Sequence, residues 1–162
     1  MFLKKKIIFG CDSRGDGESP YLTRWKIFGL GSGLSLNLHK FHRSDHDDMH
    51  DHPWPFVSLI LWRGYIEETP CLICMGHGFT QKFPYPWYRK TCYDCRETGR
   101  ARKRIWPGFI IVRRAEHIHR VELIDGKPAI TLVLTGRYAR QWGFWIGGRF
   151  EHWKSYFQKR GC

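Results

Sequence analysis

Asp45-His46-Asp47-Asp48-Met49-His50-Asp51-His52 is the densest polar stretch of the chain, and through Pro53 it leads directly into the apolar run Phe56-Val57-Ser58-Leu59-Ile60-Leu61-Trp62. Residues i and i+2 of a strand point to one face. His50 and His52 can therefore aim two imidazoles at a single point. Neutral imidazole is a ligand for iron, zinc, copper or nickel. His-x-His alone is a weak motif, because two solvent-facing histidines at a strand start would read the same way. His46, Asp47 and Asp48 read as a solvated acidic loop, with an extra ligand or a hydrogen-bond partner for an imidazole as the sharper alternative.

The surrounding pattern is that of a β protein. Leu34, Leu36 and Leu38 alternate and Phe41 follows, which suggests strands broken at Gly29, Gly31 and Gly33. The run Phe56–Trp62 reads as a buried strand that turns at Arg63-Gly64 into a second strand from Tyr65. Short β-rich runs follow at 109–113, 118–124 and 129–134. Asp125-Gly126 between the last two signals a hairpin. Trp142-Gly-Phe-Trp-Ile146 reads as a last strand. Residues 151–159 suit a short helix with Trp153, Tyr156 and Phe157 on one face. Residues 1–20, with Gly10, Gly15, Gly17 and Pro20 around Asp12, Asp16 and Glu18, have loop composition. Many short strands with one helix at most predict an all-β barrel or sandwich.

Bulk properties set bounds. The chain has 162 residues, the usual size of one domain, and 16% of them are aromatic, which excludes a disordered tail. No apolar run approaches the roughly 18 residues of a membrane span. Ile7 to Phe9 is too short for the core of a signal peptide. The expectation is a soluble, cytoplasmic protein with no membrane partner. The net charge is +12. That charge allows attraction to nucleic acid, an anionic membrane or an acidic substrate without choosing among them. Much of the charge lies in Arg96, Arg100, Arg102, Lys103 and Arg104, which read as a solvated loop or, more sharply, as a phosphate-binding patch.

Counting outward from His50 and His52 brings in a third histidine. Ser44 precedes His50 by five intervening residues, Val57 follows His52 after four, and Gly64 follows Val57 after six. Further along, Gly108 is followed by Arg114-Ala-Glu116, His119 and Leu123. These spacings resemble the two signature stretches of the cupin superfamily, which supply metal ligands from Gly…His-x-His…Glu…Gly and Gly…Pro-x-Gly…His…Asn. The resemblance covers about residues 34–136. It departs from the pattern at Ser44, Val57, Arg114, Glu116 and Leu123. It implies a single cupin domain over 1–162, a double-stranded β-helix or jelly-roll barrel, with His50, His52 and His119 holding a metal inside. His117 shares the face of His119 and could replace it, but the spacing favours His119. His39 and His42 are ordinary unless they face the barrel.

The usual carboxylate ligand is Val57 here, which leaves three neutral imidazoles. Such a face is similar to the one that thiol-dioxygenase cupins use for ferrous iron, so the resemblance implies Fe(II), or another divalent metal, and an oxidation with dioxygen. An uncompensated cation favours a small anionic substrate. Arg113, Arg114 or Arg120 could pair with it, and Tyr65 could act as a site acid. His50-Asp-His-Pro-Trp54, His119-Arg-Val-Glu-Leu123 and Trp142-Gly-Phe-Trp145 also resemble small cupin-like proteins of phage and bacterial genomes, which implies a cytoplasmic chain, in the host cytoplasm if phage-encoded, and leaves the reaction open.

Cys71-Leu-Ile-Cys74 and Cys92-Tyr-Asp-Cys95 are two C-x-x-C pairs separated by 17 residues. This is a strong signal for structural zinc held by four thiolates. Residues 70–100 thus read as an inserted zinc knuckle within the barrel. Phe79, Phe83, Tyr85, Trp87 and Tyr88, interleaved with cations, either pack the knuckle on the barrel or stack on bases. A nucleic-acid-binding module and a virion or assembly scaffold are the alternatives to an enzyme, and a homo-oligomer is compatible with any of them. Cys11 and Cys162 receive no role.

Overall fold

The computed structural model describes residues 4–9, 19–31, 33–45, 48–82 and 85–161. Fourteen strands and one short helix appear among them: β1 Lys4–Phe9, β2 Pro20–Gly29, β3 Ser35–Phe41, β4 Met49–His50, β5 Phe56–Trp62, β6 Tyr65–Pro70, β7 Phe79–Lys82, β8 Tyr85–Thr91, β9 Arg100–Ile105, β10 Ile110–Arg113, β11 Arg120–Leu123, β12 Ala129–Thr135, β13 Gly143–Ile146, β14 Arg149–His152 and α1 Trp153–Lys159. His46, Asp47, Cys11, Cys162, Phe83 and residues 12–18 lie outside the described residues, as do the side chains of Tyr85, Trp87 and Tyr88.

One sheet has the order β1-β2-β3-β12-β5-β10, and two smaller ones have the orders β11-β6-β9 and β14-β13-β4. The smaller pair join where His50 and His119 exchange backbone hydrogen bonds of 2.8 and 3.0 Å. Together they form the second wall of a barrel. The core between the walls holds Ile60, Ile111 and Ala129 from the large sheet and Tyr65, Ile105, Val121 and Leu123 from the other. Alternation decides which side chains enter. In β5, Ser58 and Ile60 point inward and are buried, while Leu61 and Trp62 are exposed. The continuous apolar run is therefore a two-faced strand whose outer side meets solvent.

Several expectations change. Lys4–Phe9 forms an edge strand paired with β2, where loop composition was expected; the triple lysine masks an alternating register. Arg63 and Gly64 turn the chain with positive φ of 62° and 76°. β5 and β6 then part company, one to each wall. Asp125-Gly126 is likewise a turn, but not a hairpin: β11 pairs with β6, and β12 lies between β3 and β5. A two-residue signal fixes the turn and says nothing of which neighbour each strand finds. Arg100–Ile105 is a strand paired with β6 rather than a loop.

That pairing accounts for much of the basic run. Arg100 and Arg102 reach Glu68 at 2.9 and 3.1 Å, and Arg102 also reaches Glu122 at 2.8 Å. Arg104 stacks over Trp106 at 3.9 Å. These cations are engaged within the protein. α1 closes one end of the barrel: Tyr156, fully buried, stacks on Phe144 and donates to Asp48 at 2.9 Å.

Candidate metal centre

His50-Asp51-His52 is held rigid by its middle residue. Asp51 is fully buried and points away from the two imidazoles. It accepts from the Gly143 N–H at 2.8 Å, from Arg140 at 2.9 Å and from the Trp145 indole at 3.3 Å. Both carboxylate oxygens are thus committed, and the flanking histidines must face the barrel interior. The backbone bridge to His119 delivers the third imidazole.

The three rings converge. Their centroids lie 5.0, 5.2 and 5.0 Å apart, and one donor nitrogen from each falls within 4.8 Å of the others. His52 Nε2 and His119 Nε2 are 2.8 Å apart. Metal–nitrogen bonds of about 2.1 Å at a right angle would set them about 3.0 Å apart, so the donor set fits a divalent ion. Burial and the neighbouring imidazoles hold His52 well below its ordinary pKa, so it stays neutral, the form that ligates.

Glu67, on β6, completes the arrangement, and sequence reasoning missed it. It accepts from His119 Nδ1 at 2.9 Å, which fixes the tautomer and leaves His119 Nε2 with its lone pair toward the centre. Arg113 grips the same carboxylate through Nε at 2.9 Å and through a terminal nitrogen. His117 meets it at 3.2 Å. Burial alone would raise the Glu67 pKa, but the bonds from His117, His119 and Arg113 outweigh it and hold the group ionised. The signal was available: Tyr65 and Glu67 are two apart in one strand and so share a face.

Beside the histidines is a cavity of about 670 Å³. Phe56, Trp54, Phe144, Trp142 and Phe157 line it, and Tyr65 lines it from β6. Burial, with the Glu67 charge adding to it, raises the Tyr65 pKa, so its phenol stays protonated. The three arginines expected near a substrate lie elsewhere. Arg113 is bound to Glu67, and Arg120 is bound to Glu68 at 2.9 Å. Arg114 is exposed and does not line the cavity. Spacing along the chain could not reveal that β6 supplies carboxylates for the first two.

The four cysteines form a second cluster, closed where the first is open. All are buried. Cys71 and Cys92 sulfurs are 3.8 Å apart, and Cys74 and Cys95 sulfurs 3.6 Å apart. Four bonds of about 2.3 Å to a tetrahedral ion imply sulfur–sulfur edges of about 3.8 Å. Each C-x-x-C turn ends on a glycine with positive φ, Gly78 at 80° and Gly99 at 69°. A β-carbon on Gly78 would lie 2.2 Å from the Glu97 oxygen, and one on Gly99 2.2 Å from the Gly76 oxygen. The two turns therefore interlock through their glycines.

Strand order, barrel and internal histidines together define the cupin fold. The DMSP lyase DddQ from Ruegeria pomeroyi DSS-3 superposes with a TM-score of 0.51 at 16% identity, over 86% of this chain and 59% of the lyase. The chain thus spans about three fifths of that protein. A cupin-2 domain protein from Rhodospirillum rubrum gives 0.49 at 12% identity, over 85% and 72% of the two chains. A cupin domain from Bordetella pertussis Tohama I gives 0.45 at 10%, over 73% and 95%. Likeness at these identities is one of fold. No family model and no curated protein matches the chain. Among the described residues, no helix is long and apolar enough to cross a membrane.

Proposed function

We propose that the chain is a metal-dependent cupin enzyme that binds ferrous iron through His50, His52 and His119 and oxidises a small anionic substrate with dioxygen. The observation that carries this reading is the convergence of three imidazoles on a cavity wall, with Val57 on β5 in place of a carboxylate ligand. Val57 points to the outer face of its strand, opposite to Ser58, which lines the cavity. Iron bound to three histidines would supply open positions for substrate and dioxygen.

The remaining roles belong to the chain's own groups. Glu67 orients His119, and Arg113 neutralises Glu67, so the carboxylate fixes a ligand without lending net charge to the centre. Tyr65, kept as a phenol, can donate a hydrogen bond or a proton to a group in the cavity. The aromatic lining excludes water. The cysteine cluster is assigned structural zinc, because all four donors are buried and no position is left open.

The test is metal analysis of protein purified without oxygen, followed by oxygen-uptake measurements on the iron-loaded form. About one zinc and one iron per chain are expected, with His50→Ala and His52→Ala losing the iron alone. Full iron content in both variants would overturn the assignment.

A further inference from the structure

Pairing across the large sheet builds a polar row that no spacing in the sequence announces. Lys6 on β1 pairs with Arg24 on β2, Arg24 with His39 on β3, His39 with Thr131 on β12, and Thr131 with Ile60 on β5. Directly paired residues share a face. Lys6, Arg24, His39 and Thr131 all line the cavity that the three-histidine centre also lines.

Arg24 is the unusual member. Its Nε donates to His39 Nε2 at 2.9 Å. His39 must be neutral there to accept, and burial together with the Arg24 charge keeps it so, at a pKa of about 3. Among the described residues no carboxylate lies within ion-pair reach of Arg24, whereas Arg113 and Arg120 are each bound to a glutamate. Arg24 lines the cavity, and among the described residues its two terminal nitrogens meet no acceptor. The Thr131 hydroxyl in the next strand but one, 1% exposed, has no hydrogen-bond partner. A buried hydroxyl without a partner costs stability unless something supplies one. The cavity's own carboxylates are occupied: Asp45 by the Tyr21 hydroxyl and the Val121 N–H, Asp48 by Tyr156.

We propose that Arg24, held by His39 with Lys6 beside it and Thr131 beyond His39, is the seat of the substrate's oxyanion, a carboxylate or a group of like charge, whose apolar body lies along the aromatic lining toward the three-histidine centre. This deepens the enzyme reading given above and rests on it for the reacting end. A planar guanidinium with two free donors matches a carboxylate in a forked geometry. Apolar surface beside it suits a molecule with an uncharged chain or ring rather than a dianion or a sugar. Arg24 lies on β2, outside the histidine motifs.

Hexanoate and hexanamide serve as a charged and an uncharged probe of equal size. Their binding is followed in the full, metal-loaded chain by calorimetry, with quenching of Trp54 and Trp142 as a second readout. Hexanoate is expected to bind the wild type about 10- to 100-fold more tightly than hexanamide, the range for charge-assisted hydrogen bonds. Arg24→Gln is expected to abolish that preference while keeping full metal content. His52→Ala, deprived of the barrel metal, is expected to keep it, which separates an anion seated on Arg24 from one bound to the metal. A preference lost in His52→Ala and kept in Arg24→Gln would overturn the proposal. So would a wild type that does not prefer hexanoate, including one that binds neither probe. If Arg24→Gln fails to fold, Arg24→Lys decides: hexanoate weakened at least about threefold with hexanamide unchanged supports the proposal, and unchanged hexanoate overturns it. A wild type without barrel metal that still shows an Arg24-dependent preference would sink the enzyme reading and leave the anion seat standing.

Discussion

The histidine centre and the cysteine cluster lie in one chain and solve opposite problems. The cysteines come from two short turns that are copies of each other in layout, each with its own glycine, and every donor is buried. The histidines come from β4, the segment after it and the approach to β11, and they open on a cavity. Around the cysteines the support is mainly backbone, as where the Gly78 N–H meets the Cys74 sulfur at 3.2 Å. Around the histidines it is a relay of side chains, Arg113 to Glu67 to His119. A closed site needs only to hold its ion, so local turns suffice. An open site must keep its ligands in place while a position is vacant, and that takes a rigid wall and charged props.

The largest expected break in this comparison is Cys71→Ser. Structural zinc contributes on the order of 10 kcal/mol to the segment it folds. The variant should lose one zinc and become open to proteases between residues 75 and 91, while the barrel metal stays; metal analysis and limited proteolysis read both. His52→Ala should do the reverse, emptying the barrel and abolishing oxygen uptake with the knuckle still protected. Loss of both ions in either variant would show that the sites are coupled rather than separate.

Asp51→Ala probes the wall behind the histidines. It removes three hydrogen bonds and strands Arg140, and should cost about 3–5 kcal/mol of stability, seen as a lower urea midpoint. Glu67→Gln is milder, because the amide can still accept from His119. A 10- to 100-fold loss in barrel-metal affinity is expected from the weaker prop, with zinc content unchanged, measured by competition with a chelator. An equal loss at both sites would indicate general loosening.

The smallest effect is one of pH. His39 has its pKa drawn down to about 3 by burial and then by the Arg24 charge, against about 6.5 in the unfolded chain. Between those values the unfolded chain carries a proton that the native state lacks. This contribution is complete above about pH 6.5 and declines as pH falls toward 3, by about 1.4 kcal/mol per unit. His39→Gln should flatten the acid limb of the stability profile by one proton. An unchanged slope in denaturant titrations would refute the assignment.

Both donor clusters were legible because their residues are close in sequence or tied by motif spacing. His50 and His52 need only alternation, His119 only a count from Gly108, and the cysteines only two tight turns. Glu67 and Arg24 were not read, for different reasons. Glu67 shares a strand face with Tyr65 and was within reach of the same alternation argument. Arg24 acquires meaning only from its partners: it faces His39 because β2 and β3 pair in one register, and the glycines at 29, 31 and 33 do not disclose that register. β1 was hidden by its lysines. Asp125-Gly126 misled because turn chemistry is local, whereas the pairing of β11 and β12 depends on the whole barrel.

Pro70 pairs with Arg100, and the Cys71 N–H donates to the Gly99 oxygen at 2.8 Å, so the cysteine cluster sits at the tip of the β6–β9 ladder. Filled with an ion, it makes a detour of some thirty residues behave as a tight turn. Closing a loop of that length costs about 2 kcal/mol more than closing one of a few residues, and the transition state must meet that cost before β6 and β9 can pair. β6 carries Tyr65, Glu67 and Glu68, so the wall that positions His119 waits on the same closure. If the ion is the zinc proposed above, the rate at which the chain refolds should therefore follow the concentration of free zinc, even though none of the four cysteines lines the barrel's cavity.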